Sequence, residues 1–280
     1  MQTRRKGGID LSSLIIMGLT ISANSKTGKS INVSRKSCRP TALCRKRCYG
    51  EKITLEDIAR MEAAGIDVRC LRPNAGPITW DKSQETYERN FNVLQAAYKE
   101  GWLDELAAEV SAYWIRHQPE EVLRGNGLGD LWPPLCDFYA RLAMHGVPVF
   151  LFSRKAEMIS RLRETCNLLE VEYDRRPWVI GSVDPSTEKE DLSKLQTETL
   201  RMNGQVTLAA TWYDPTDRLL WHEPLENWQV HEAGVRVIFG YHTNFHHTRV
   251  PQALQKNECP ATAGLKTTCR ECRKCFGRHA

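Results

Sequence analysis

Two rhythms of apolar residues divide the chain. From about Gln84 to His117 they recur at helical spacing, and Gly101 marks a break between two helices. The stretch TLEDIARMEAAG shows the same rhythm, with Thr54 as N-cap, Asp57 three residues on and Gly65 as its end. From Glu121 the pattern changes to short apolar runs: EVLRG from Glu121, VPVFLF from Val147, PWVIGSV from Pro177, VTLAATWY from Val206 and VRVIFGY from Val235. They begin about every 26 to 30 residues, the length of a βα unit. Continuous apolar strands of this kind predict a mostly parallel sheet covered by helices. WPPLCDFYARLAMHG from Trp132 and KAEMISRLRETCN from Lys155 are the clearest connecting helices. The expected fold is α/β, a mostly parallel sheet of βα units forming a partial (β/α) barrel or an open sheet.

The front of the chain reads differently. From about Gly18 to Gly50 it is rich in Ser, Asn, Lys and Gly and is expected to be polar loop. Four regions follow from these shifts: an N-terminal segment with a cysteine loop (1–50), a helical region (51–120), an α/β core (121–250) and a cysteine-rich tail (251–280). The apolar stretch LSSLIIMGL near the start is too short to span a bilayer, and no convincing cleavage site follows it. A cytoplasmic protein without a membrane partner is therefore expected, in which cysteines serve as thiols or metal ligands more often than as disulfides.

Composition narrows the class further. The 280 residues are 41% hydrophobic and 26% charged, which supports a real core and argues against a disordered, collagen-like or coiled-coil chain. The net charge of +5 is modest and no long Lys/Arg block is present, so nucleic-acid contact is permitted without being demanded. The tryptophans are spread out, a distribution that suits packing better than a stacking platform for single-stranded nucleic acid.

The ten cysteines carry the most specific chemistry. At the end of the chain Cys259, Cys269, Cys272 and Cys275 form Cys-x9-Cys-x2-Cys-x2-Cys, a spacing shared by zinc and iron–sulfur sites. Arg270, Arg273 and Lys274 lie between these thiols and would lower their pKa values. A zinc knuckle that only pins the tail is the plainer alternative. At the front Cys38, Cys44 and Cys48 form Cys-x5-Cys-x3-Cys, flanked by Arg39, Arg45, Lys46 and Arg47. Three thiolates without a local fourth suit a cubane that leaves one iron open to substrate or cofactor. The rival readings are a fourth ligand from elsewhere, one centre shared with the end cluster, zinc, or no metal. Cys136 and Cys166 sit among apolar residues of predicted helices and are expected to be buried small hydrophobes, with Cys70 less decided.

Parallel α/β units place polar functional residues at strand carboxyl ends. Here these are Arg124, Asn126 and Asp130 after the first run, Ser153, Arg154 and Lys155 after the second, and Ser182 and Asp184 after the third. His242, His246 and His247 follow the last. Arg124, Asp130, Lys155 and Asp184 are the candidate catalytic or substrate-positioning residues. Asn126, Ser153 and His242 join the front cysteines as candidate cofactor contacts. Plainer roles exist for each: a tight strand-to-helix turn for the glycine-rich loop before Asp130, a basic helix start for Arg154 and Lys155, a helix cap for Asp184, and a surface group for the histidines. NSKTGKS contains Gly-Lys-Ser, but the upstream glycine of a phosphate-binding loop is missing and no strand is expected before Gly28.

NSKTGKSINVSRKSC from Asn24, leading into CRPTALCRKRCY, together with LRGNGLGD, FSRK from Phe152 and the terminal CPATAGLKTTCRECRKCF, resembles the cysteine-rich gene product 88 family of phages and plasmids. The likeness spans most of the chain and is most specific at its ends. It implies an iron–sulfur α/β protein of a mobile genetic element without fixing a reaction. A more distant, architectural resemblance is to the radical S-adenosylmethionine enzymes, in which a three-cysteine loop precedes a partial barrel and some members add a cysteine-rich extension. That resemblance implies one or two [4Fe–4S] clusters, S-adenosylmethionine as a cofactor, and a redox or radical reaction on a small molecule. The alternative is a non-enzymatic regulatory or host-interfering protein that uses metal as structural glue. Basic residues near the cysteines would then contact nucleic acid or a host protein. A zinc-stabilised nuclease or transferase is a third option, and no familiar acidic constellation supports it.

Overall fold

The computed structural model describes residues 14–24, 28–38, 56, 59, 62–63, 77–119, 121–125, 129–183, 187–203, 206–212 and 235–241. Among these, eight strands lie side by side in chain order: β1 (Leu14–Ile16), β2 (Leu19–Asn24), β3 (Gly28–Ile31), β4 (Leu123–Gly125), β5 (Val149–Ser153), β6 (Trp178–Val183), β7 (Val206–Trp212) and β8 (Val235–Tyr241). The first two pairings are antiparallel, and β3 through β8 are mutually parallel. Among the described residues β1 and β8 each have one neighbour, so the sheet is open. The expected α/β class and mostly parallel sheet are both present.

Five helices accompany the strands among the described residues: α1 (Pro77–Glu100), α2 (Leu103–His117), α3 (Pro133–Met144), α4 (Ala156–Leu168) and α5 (Lys189–Asn203). Helices α2 to α5 pack each against the next. Their apolar stripes share one core with alternate strand residues. Leu106 and Trp114 of α2, Leu135 and Phe138 of α3, Ile159 and Leu162 of α4 and Leu195 of α5 meet Leu123, Val149, Leu151, Val179 and Val183. The intervening residues Phe150 and Ile180, with Val122, Phe152 and Trp178 against them, form a separate small cluster on the opposite face. Period-two alternation along the strands thus gives one face to the helices and leaves another that no helix covers among the described residues. Strands in sequence order require every right-handed crossover to fall on the same side, which accounts for the one-sided helical layer.

The front of the chain corrects the polar-loop expectation. β2 and β3 lie within Gly18–Gly50, and β3 pairs in parallel with β4 through Ser30↔Arg124 and Ile31↔Gly125. β2 also supplies the strand that was not expected before Gly28, and Gly28 itself opens β3. The segment reads as loop because β2 is only half apolar and β3 carries a single apolar side chain, Ile31. Leu19, Ile21 and Ile31 enter the core while Thr20, Ser22 and Ser30 take the alternate positions. Within the short apolar stretch at the start, Leu14–Ile16 form β1, joined to β2 by the two-residue turn Met17–Gly18. Both turn residues have positive φ, 48° and 86°, as a two-residue hairpin of the I′ kind requires.

Buried Asn90 on α1 holds this edge. Its Oδ1 accepts from the Thr20 backbone N–H at 2.7 Å, and its Nδ2 donates to the carbonyls of Thr20 at 2.8 Å and Asn32 at 2.9 Å. The amide therefore satisfies both backbone groups of Thr20 without a charge.

Remaining boundaries moved modestly. The run from Glu121 contributes only three strand residues, and the helices begin one residue later than the apolar patterns from Trp132 and Lys155. Glu56, Ala59, Glu62 and Ala63 are helical, and the rest of the Thr54–Gly65 stretch lies outside the described residues. Cys136 on α3 and Cys166 on α4 are fully buried in the helical core, as expected. No described helix is long and apolar enough to cross a membrane.

Candidate functional site at the strand carboxyl ends

Beyond the carboxyl ends of β4 and β5 the chain buries a polar cluster. Asp130, 4% exposed, accepts from Ser153 Oγ at 2.7 Å, from the Leu131 N–H at 2.7 Å and from the Arg154 N–H at 3.2 Å. Its own backbone N–H donates to Ser37 Oγ at 2.8 Å, and the Ser37 hydroxyl donates in turn to the Ser34 carbonyl at 2.8 Å. Lys155 Nζ donates to the Ser37 carbonyl and, at 2.8 Å, to the Leu131 carbonyl. The Lys155 backbone N–H donates to Ser153 Oγ at 3.1 Å.

Local structure explains the placement. A parallel strand ends where its ladder ends, leaving the backbone N–H groups of the following turn without strand partners. A carboxylate at 130 satisfies two of them, at Leu131 and Arg154, and Ser153 Oγ accepts from a third, at Lys155. Gly129 makes the close approach to the front segment possible. Its φ is +86°, and a Cβ there would lie 2.4 Å from Val33 Cγ2, 2.8 Å from Ser37 Oγ and 2.9 Å from the Val33 carbonyl.

Burial raises the Asp130 pKa above the ordinary aspartate value, because removing the carboxylate from water outweighs the opposing help of Ser153, Lys155 and the two backbone donors. The cluster is therefore costly to keep charged. Its geometry is spent on gripping Ser37, the residue immediately before Cys38.

Of the predicted site residues, Asp130, Ser153 and Lys155 come together here, with half-buried Cys38 following the gripped Ser37. Arg124 lies elsewhere, on the face opposite the helices, with its guanidinium carbon 5.0 Å from the centroid of the Phe152 ring. Asn126, Asp184, His242, Cys44, Cys48, Cys259, Cys269, Cys272 and Cys275 lie outside the described residues. Among the described residues no three His, Cys, Asp or Glu side chains are grouped to hold a metal, and Cys38 is the one expected ligand within them. Cys38 directly follows the Ser37 carbonyl that the Lys155 ammonium holds at the strand mouth. Sequence reasoning missed Ser37, whose partner Asp130 lies 93 residues away. The signal was available only as the run SRKSC. No protein family, no curated protein and no solved structure matches the chain.

Proposed function

We propose that the protein is an iron–sulfur protein built on a partial barrel, with a redox centre held by Cys38, Cys44 and Cys48 at the carboxyl ends of the parallel strands. The observation that carries this reading is the grip on Ser37 by Asp130 and Lys155, which fixes the chain one residue before Cys38 at the mouth where parallel α/β proteins do their chemistry. Sequential strand order with the described helices on one side supports the barrel-like part of the reading.

A cluster with one iron not bound by a protein thiolate would supply one-electron chemistry at an accessible metal, with S-adenosylmethionine the cofactor that the more distant resemblance implies. The chain's own residues do the rest. Asp130 and Lys155 set the position and entry angle of the cysteine loop, and Ser153 keeps Asp130 aimed. The Lys155 ammonium, held on the Ser37 carbonyl, places a positive charge at the start of the cysteine loop. Cys259, Cys269, Cys272 and Cys275 would hold a second centre, and a mobile-element origin follows from the gene product 88 resemblance alone.

Anaerobic purification with iron, sulfide and zinc analysis tests this directly. Two cubanes would give about eight irons and about eight sulfides per chain, and Cys44→Ser would then lose about four of each. Gly129→Ala touches no thiol but would push Ser37 from its seat, so the same front-site iron should fall in a variant whose ligands are intact. Zinc without sulfide, or full iron in Cys44→Ser, would overturn the reading.

A further inference from the structure

The sheet face opposite the helices holds buried donors that the cysteine site does not use. Arg124 Nε and Trp178 Nε1 are both buried there without a hydrogen-bond partner. The register places them in one cross-strand row, Arg124↔Phe150 and Phe150↔Trp178, so Phe150 lies between two unsatisfied N–H groups. The Arg124 guanidinium carbon also lies over the Phe152 ring, 5.0 Å from its centroid. Neighbouring Ser30 on β3, in register with Arg124, is buried and polar.

Such a row is expensive to leave as it is. A buried donor without an acceptor costs about 1–3 kcal/mol, and more when the group is charged. A sheet face built only for packing would place an aliphatic residue where Arg124 stands. Five guanidinium N–H groups in a fixed plane are instead the complement of a carboxylate or phosphate. The aromatic rings beside them suit an apolar body attached to that oxyanion.

We propose that this face binds a small organic oxyanion, with Arg124 pairing to its carboxylate or phosphate, Trp178 Nε1 donating a second hydrogen bond and Phe150 and Phe152 packing its apolar part. The proposal does not depend on metal at the cysteine loop, since none of these residues belongs to it.

Phenyl phosphate and benzoate share an aromatic body and differ in the oxyanion, and benzyl alcohol is the neutral control. Each is titrated into the full-length protein by calorimetry, while the indole N–H resonance of Trp178, assigned through Trp178→Phe, is followed by NMR. Saturable binding of at least one anion with a shift of that resonance is expected, with benzyl alcohol inert. The preferred anion tells phosphate from carboxylate. Arg124→Gln should weaken binding at least about tenfold, and Arg124→Lys should recover only part of it, because an ammonium keeps the charge without the planar fork. Should either variant fail to fold, the wild-type Trp178 shift still decides. No saturation by either anion, binding that leaves the Trp178 resonance unmoved, or equal affinity in a folded Arg124→Gln protein would overturn the proposal.

Discussion

The chain buries polar side chains in two junctions that solve the same problem in opposite ways. At the α1–β2 junction Asn90 meets three backbone groups with a neutral amide. At the ends of β4 and β5 Asp130 meets two backbone N–H groups and a serine with a carboxylate, beside the Lys155 ammonium. An amide is the cheaper device, because no ion has to leave water. A charged device at the second junction therefore points to a demand beyond stability, and its distinguishing feature is that it ends on the residue before Cys38.

Breaking each junction should separate them most clearly. Asp130→Ala strands three donors, at Ser153, Leu131 and Arg154, so a loss of about 3–5 kcal/mol is expected. Asn90→Ala leaves the Thr20 backbone unsatisfied without stranding an ion, and about 2–3 kcal/mol is expected. Urea unfolding of both variants beside wild type measures the difference. A larger loss from Asn90→Ala would mean that the charged cluster contributes little to holding the fold.

The titration of Asp130 sharpens the contrast at smaller amplitude. Because its pKa is raised in the folded protein, folded chains keep a proton that unfolded chains have released over the range just above the ordinary aspartate value. Unfolding then releases a proton, and stability must fall as pH rises from about 4 toward the raised folded value. Asp130→Asn removes that slope, whereas Asn90→Ala should lower the whole curve without changing its shape. Stability measured by urea unfolding across this range checks it, and parallel curves for wild type and Asp130→Asn would count against burial as the dominant influence on the carboxyl.

Both junctions also show how far the sequence could be read. β5, β6, β7 and β8 were legible because nearly every residue is apolar between Gly, Pro or charged neighbours, and α1 and α2 because their stripe repeats at helical spacing around Gly101. β2 and β3 were not, since their half-polar alternation is shared with loops rich in Ser and Lys. Asp130, Ser153 and Lys155 were legible from the rule that parallel strands end in functional residues. Ser37 and Asn90 were not, because each acts through partners 93 and 70 residues distant and neither belongs to a local pattern. Arg124, expected beside Asp130 and Lys155, lies instead on the sheet face opposite the helices. Strand period alone puts it on the face away from the helices, and only the packing of Phe152 reveals its surroundings.

The smallest expected effect concerns thiols placed well inside the helical layer. Burial pushes the Cys166 thiol up to about 12 and drives Cys136 upward as well, with the Cys136 Sγ 3.4 Å from the Met158 carbonyl. Against an ordinary thiol near 9.0, that shift leaves Cys166 with roughly a thousandfold less thiolate at neutral pH, and alkylation slows with it. Iodoacetamide labelling of the native protein, read peptide by peptide in a mass spectrometer, should leave both residues unmodified until denaturant is added. Native labelling at Cys136 or Cys166 would mean that the helices open readily.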